Sequence, residues 1–404
     1  MKRKIFPGIA RGTVIAPPSK SMSHRMLICA GCSKENSMIH HLAYSQDILA
    51  TLDCLEGMGV VYSQKEDCLE LRGKCPAELN TSVEVCCRES GSTLRFFIPL
   101  FLLSAQKVTL SGAPRLLQRP LDIYAKICKE QNLYFSQDAE KVTLQGPLNA
   151  GKFTLPGNIS SQFSSGLLFA LPMLPQESVI EILPPVESKP YIDMTLQALE
   201  QFGVCAEWIG ETTLRIPGGQ YYRGGDATVE GDYSNAAFFD AFNFLGGTVT
   251  VTGLNPDSLQ GDQIYTRYFQ ELDKETPVLD ISDCPDLAPI LMALAVEKHG
   301  AILTGTKRLK IKESDRGEVM AAELRKFGAR ITVEEDRILI DSTELHAPDE
   351  LLFGHNDHRI VMALAVLASR YGGMIDDAQA VSKSFPDFFQ RLADVGIQTE
   401  EVYL

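Results

Sequence analysis

An α/β fold of two similar domains, each built of three repeated α-β-α-β-β units, is what this 404-residue sequence predicts. Three observations predict it. Six segments share one layout: a polar cluster, a short run of small and apolar residues, then a strand-like stretch. Their starts lie about 70 residues apart, except for a shorter fourth-to-fifth step. A second, amphipathic helix and a hairpin follow in most of them. Self-similarity at a fixed period fixes the architecture before any single element does.

The first helices begin near Ser21, Gly91, Ser161, Tyr233, Asp286 and Asn356. The strands after them read SMIHHL, KVTLSG, SVIEILP, GTVTVTG, AILTGT and GMIDDA. In the first unit the second helix is SQDILATLDCLEGMGV, with Ile48, Leu49, Leu52, Leu55 and Met58 on one face. Spacings of three and four mark a single buried stripe. Gly57, Gly203 and Gly328 are placed to end such helices. VYSQKEDCLELRG, AEWIGETTLRIPG and RITVEEDRILID alternate like hairpins with polar tips. The fourth unit is short, and LDKETPVLDIS leaves little room for a hairpin.

Three units bury one core, so six make two domains. The expected division is 14–224 for the first, and 1–13 with 225–404 for the second, after the Gly-rich stretch 217–227. The start of the chain then pairs with the second domain, and the active site is expected in the cleft between the two, a favoured place for ligands.

Composition narrows the function. No apolar run approaches the roughly 18 residues that span a bilayer, and the N-terminus carries no secretory apolar core, so a cytoplasmic protein with no membrane partner is expected. The net charge of −14 argues against nucleic acid. It leaves room for a small anion, because a local cluster of Lys and Arg can focus positive potential inside an acidic protein. The ten cysteines are scattered. Cys29 and Cys32 form a C-x-x-C with no second pair at zinc spacing, on an apolar helix, and read as structural thiols. No metal is implied: His358 has no carboxylate–His cluster at metal spacing, and His40-His41 reads as part of a strand.

The polar residues concentrate at the helix starts, where unpaired N–H groups and the helix dipole favour anions. Ser, Asp and Asn at such places are ordinary N-caps. Arg25, Arg95 and Arg359 are not, because a cation in the first turn opposes the dipole. Either an anion is expected beside them or, for Arg95, an ion pair with Glu89.

These clusters carry a resemblance. PSKSMSHR at 18–25, SGSTLR at 90–95, QRP at 118–120, SSQF at 160–163, SKPYID at 188–193, KESDR at 312–316, NDHR at 356–359 and SKSFPDFF at 382–389 resemble, in order and across the chain, the motif series of the EPSP synthases. That family's fold resembles an inside-out α/β barrel pair, as in other enolpyruvyltransferases. The resemblance implies transfer of the enolpyruvyl group of phosphoenolpyruvate to the 5-hydroxyl of shikimate 3-phosphate, without a cofactor, by a protein expected to be a monomer. It places Lys20, Ser21, Arg25, Ser160, Ser161, Gln162, Ser188, Asp286 and Lys312 on shikimate 3-phosphate, with Tyr191 nearby. Lys20, Gly91, Arg119, Gln162, Arg316, Arg359 and Lys383 fall on phosphoenolpyruvate. Asp286 is the matched base, with Glu313 and Lys20 for proton traffic at C3. The residues alone leave two plainer readings open: Asp286 as an N-cap, and Glu313 as an i,i+3 partner of Arg316.

Two positions depart from the family pattern. Glu89 stands where many members have Asn, and Arg308 where some have Asn. Two other readings compete. One is the sister enolpyruvyltransferase that uses UDP-N-acetylglucosamine, and the other is a non-catalytic binder of anionic metabolites.

Overall fold

The computed structural model describes residues 1–403. Its six sheets follow the six repeats. In the second repeat, Val83–Cys86 runs parallel to Lys107–Ser111. Lys107–Ser111 then pairs antiparallel with Lys141–Gln145, and that strand with Tyr134–Gln137. The same order, one parallel pair followed by a hairpin, recurs in the third and fifth repeats. The fourth has no hairpin of its own. Thr248–Thr252 pairs in parallel with Arg11–Ile15, from the start of the chain. In the sixth, Lys2–Ile5 takes a hairpin position between Gly373–Asp376 and Thr399–Val402.

Two compact units result: residues 18–230, and residues 1–17 with those from 231 onward. The crossings lie at 17/18 and 230/231 rather than at 13/14 and 224/225. Strand pairing is the reason. Asp226–Thr228 runs parallel to Asn36–His40 and stays with the first unit, while Arg11–Ile15 is carried whole by Thr248–Thr252.

Each unit has its own apolar core. The first helix of each repeat is its centre. In the Ala288–Glu297 helix every residue from Ala288 to Val296 is buried, and in His358–Tyr371 every residue from His358 to Ser369. A helix buried all round needs no polar face, which is why these segments are small and apolar throughout. Close approach matters at Gly166: a Cβ there would meet the Arg95 carbonyl at 2.6 Å and the Tyr124 hydroxyl at 2.4 Å. The second helices are amphipathic and lie further out.

Gly57 is the last residue of Gln46–Gly57, and the left-handed turn falls at Gly59 (φ 94°). Gly57 is needed for packing, since a Cβ would sit 2.2 Å from Val85 Cγ1. Gly203 and Gly328 do adopt positive φ. Cys29 and Cys32 are buried free thiols; burial pushes both well above the usual thiol range. No helix among the described residues is long and apolar enough to cross a membrane.

Candidate active site

In the unit of residues 18–230, three buried helices bring their polar starts into play. Ser19 caps Lys20–Cys32, Ser90 caps Gly91–Phe101 and Ser160 caps Ser161–Ala170, each accepting a backbone N–H. The capping reading is thus true of these serines, and the cations are what it leaves unexplained. Arg25 is 2% exposed. Its Nε donates to Thr195 Oγ1 (2.9 Å), Nη1 to the Ser21 carbonyl (2.7 Å) and Nη2 to the Tyr191 carbonyl (2.8 Å). The guanidinium also lies over the Phe96 ring. Every one of these partners is neutral, and burial brings its pKa down to about 10. A buried cation with dipoles but no counter-charge is electrostatically poised for an anion.

Lys20 Nζ donates to Asp47 Oδ2 at 2.8 Å. Arg119 sits against Gly91: a Cβ on that glycine would meet Arg119 Nη1 at 2.3 Å and come within 3.9 Å of Gln162 Oε1. Only glycine lets the guanidinium lie on the backbone there. Gln162 ties the second and third repeats together, taking a bond from Arg95 Nη1 (2.7 Å) and giving one to Ser92 Oγ (2.9 Å). Glu89 is half-buried just before the Ser90 cap. Ser188 is left-handed (φ 57°) at the start of Lys189–Gln201, and its hydroxyl does not cap that helix.

The unit containing residues 231–403 holds a second cluster of a different kind. Asp286 is not an N-cap. The helix begins at Ala288 behind Leu287, with no side-chain cap bond, and Asp286 lies in the 3-10 turn Pro285–Leu287. Its carboxylate is shared among three cations: Lys312 Nζ (3.2 Å) and Arg316 Nη1 (2.8 Å) on Oδ1, and Arg359 Nη2 (2.9 Å) on Oδ2. Burial alone would raise its pKa. Arg359, Lys312 and Arg316 outweigh that and hold it well below the usual carboxylate range.

Arg316 is 1% exposed and spans three carboxylates: Asp286, Glu313 Oε2 at 2.6 Å, and Asp357 Oδ2 at 2.8 Å. The i,i+3 ion pair of Glu313 with Arg316 is therefore formed. Asp357 also caps His358–Tyr371 and accepts from Ser314 Oγ. Arg359 gives Nη2 to Ser234 Oγ (2.7 Å) as well as to Asp286, while its buried Nε and Nη1 donate to no atom of the described residues. Lys383 Nζ donates to the Asn356 carbonyl. Arg308 donates to the Ser282 carbonyl, bracing the loop that leads to Asp286.

The sequence-predicted residues thus gather as two sets. Lys20, Ser21, Arg25, Gly91, Arg119, Ser160, Ser161, Gln162 and Ser188 belong to residues 18–230; Asp286, Lys312, Glu313, Arg316, Arg359 and Lys383 belong to the other unit. Asp47, Thr195 and Ser234 were missed as partners. Each is an unremarkable residue within or just inside a helix, with no local signal.

Fold and clusters together define an α/β repeat protein that collects cations and hydroxyls at the starts of its buried helices. The family model described as EPSP synthase (3-phosphoshikimate 1-carboxyvinyltransferase) matches residues 7–392. Curated relatives include 3-phosphoshikimate 1-carboxyvinyltransferases of Clostridium kluyveri and Clostridium acetobutylicum, each 38% identical over 98% of this chain and 98% of its own length. An EPSP synthase structure from Acinetobacter baumannii superposes with a TM-score of 0.77 at 21% identity, covering 99% of this chain and all of that one. The chain belongs to the EPSP synthase (3-phosphoshikimate 1-carboxyvinyltransferase) family.

Proposed function

We propose that this chain transfers the enolpyruvyl group of phosphoenolpyruvate to the 5-hydroxyl of shikimate 3-phosphate, releasing inorganic phosphate. Family membership supports the reaction, and the observation that carries the residue assignment is Arg25, a buried cation with only neutral partners. A phosphate monoester brings about −1.5 to −2 charges at pH 7, the counter-charge that Arg25 lacks. Ser21, Ser160, Ser161 and Ser188 supply hydroxyls for the shikimate 3-phosphate side. Gly91, Arg119, Gln162, Arg316, Arg359 and Lys383 serve phosphoenolpyruvate, and the bare Nε and Nη1 of Arg359 form a fork suited to a carboxylate. Residues of both clusters are assigned to the reaction, and substitution in either is expected to lower turnover.

The chemistry is addition followed by elimination. The 5-hydroxyl adds to C2 while C3 gains a proton; the tetrahedral adduct then loses a C3 proton and expels phosphate. Asp286 takes the hydroxyl proton. With its pKa held low it is ionised but weakly basic, and anionic substrates that offset Lys312, Arg316 and Arg359 raise its basicity when it is needed. Glu313 and Lys20 handle the proton at C3. Small-molecule substrates are its partners, and it works as a cytoplasmic monomer.

Phosphate release from phosphoenolpyruvate tests the reading, with shikimate 3-phosphate or UDP-N-acetylglucosamine as acceptor. Turnover is expected with the former only, and Asp286→Ala lowers kcat at least about a hundredfold, the scale of one general base. Turnover with the nucleotide sugar alone, or an Asp286→Ala rate equal to wild type, overturns it.

A further inference from the structure

The solvent-facing side of the sheet around Asn36–His40 collects metal-binding side chains that the chemistry above does not use. His40 stands directly opposite Cys68 in the antiparallel ladder, and residues opposite one another share a face. Asp67 precedes Cys68 in the hairpin turn. One ligand atom from each of His40, Asp67 and Cys68 lies within 4.8 Å of the other two. On the adjoining strand, Asp226 Oδ1 is 2.9 Å from His40 Nε2. A carboxylate behind an imidazole orients the ring and raises its basicity toward a metal. The two carboxylates of Asp67 and Asp226 beside the imidazole and the sulfur make this a place suited to a cation.

We propose that His40, Asp67 and Cys68 form a site for a borderline-soft divalent cation of the Zn2+ class, with Asp226 holding the imidazole and a fourth position open to water. The donor set decides the class. One imidazole nitrogen and one sulfur suit Zn2+ or Co2+ and are poor ligands for Mg2+ or Ca2+. Tetrahedral bonds of about 2.0–2.3 Å leave donors roughly 3.5 Å apart, so closing the site takes a small swing of side chains. Asp67 is exposed and free of strand pairing, and makes most of that swing. The bound ion ties the tip of the 61–72 hairpin to the neighbouring strand and stabilises the folded chain by mass action.

The full-length protein, stripped with chelator, is titrated with Co2+. One equivalent giving tetrahedral visible bands and a thiolate-to-cobalt charge-transfer band in the near ultraviolet is expected, displaced by Zn2+. Cys68→Ser abolishes the charge-transfer band, and His40→Gln weakens binding at least tenfold. A second measurement needs no variant: Zn2+ slows alkylation of Cys68 at least tenfold, read by mass spectrometry, while the exposed Cys86 and Cys205 react as before. Absence of the bands, their survival in Cys68→Ser, or alkylation of Cys68 that Zn2+ leaves unchanged overturns the proposal.

Discussion

Arg25 and Arg316 are equally buried, at 2% and 1% exposure, yet they are held in opposite ways. Arg25 touches a hydroxyl, two carbonyls and an aromatic face, and burial brings its pKa down. Arg316 touches three carboxylates, which override its burial and hold its pKa well above the ordinary value. The contrast separates two uses of the same side chain. A cation neutralised in advance organises its surroundings and stabilises the fold. A cation given only dipoles is costly to the fold and is repaired by a bound anion. The unit of residues 18–230 therefore holds a buried cation among neutral partners, while the other unit holds a cage of cations around Asp286.

Arg316→Met is the largest expected break in this comparison. It leaves Asp357, which is fully buried, without its cation. Removing one member of a buried charge pair costs about 3–5 kcal/mol. Chemical denaturation of the free protein should show that loss. A change below about 1 kcal/mol would mean that Ser314 and the helix start alone satisfy Asp357, and that the cage is not structural.

Arg25→Gln is the counterpart. Its partners are neutral, so free-protein stability should move by no more than about 1 kcal/mol, the scale of an ordinary hydrogen bond. Shikimate 3-phosphate binding should instead weaken about 10- to 100-fold, in line with loss of a charge-assisted contact worth about 1.5–3 kcal/mol. Calorimetric titration reads the second effect and denaturation the first. If Arg25→Gln destabilised as much as Arg316→Met while binding was unchanged, the distinction between the two arginines would collapse.

Much of this was legible in the chain, and the reason is geometric. Helix starts are local features, so Ser19, Ser90, Ser160 and Asp357 can be read as caps from a few residues of context. The out-of-place Arg359, second in its helix, can be read the same way, whereas Arg25, expected in a first turn, is the sixth residue of Lys20–Cys32 and lies in the second. What holds those arginines cannot be read. Arg25 meets Thr195, 170 residues away, and Arg359 meets Ser234, 125 away. Such pairs are decided by how buried helices pack, and periodicity says nothing of that. The ambiguity at Asp286 has the same origin: as a cap or a charge partner it has the same neighbours in sequence, and only the helix start at Ala288 separates the two. The domain crossings moved for a related reason. The Gly-rich stretch 217–227 marks a break in pattern, but the partner of Asp226–Thr228 is a strand nearly 190 residues earlier.

Gly91→Ala sharpens the comparison within the unit of residues 18–230. The added methyl meets Arg119 Nη1 at 2.3 Å, and the obstacle is the far end of a flexible side chain. Arg119 should move aside at little cost to the fold. KM for phosphoenolpyruvate should then rise about tenfold, the effect of about 1.4 kcal/mol, with kcat for the bound substrates changed less. A fall in melting temperature with KM unchanged would make Gly91 a packing glycine like Gly166 and take Arg119 out of the substrate's reach.

The smallest expected effect comes from acid, and it falls on one side of the comparison only. Asp286 has a folded pKa held well below the ordinary value near 3.9. A depressed carboxylate contributes stability that is present above the unfolded pKa and is lost as pH falls through the folded one. Below about pH 4 the unfolded chain takes up a proton that the folded cage refuses. The stability difference between wild type and Asp286→Asn should therefore be flat at neutral pH and shrink as pH falls below about 4, because Asn has no proton to bind. Other depressed carboxylates, such as Glu323 beside His355 and Lys326, are common to both proteins and cancel in the difference. The same difference taken for Arg25→Gln should stay level through that range, since no carboxylate among the described residues touches Arg25. Denaturation curves for the three proteins between pH 3 and 7 make the check. A level Asp286→Asn difference across pH 4 would show that its carboxylate is not held by the cations of Lys312, Arg316 and Arg359. A sloping Arg25→Gln difference would show that Arg25 already has an acidic partner.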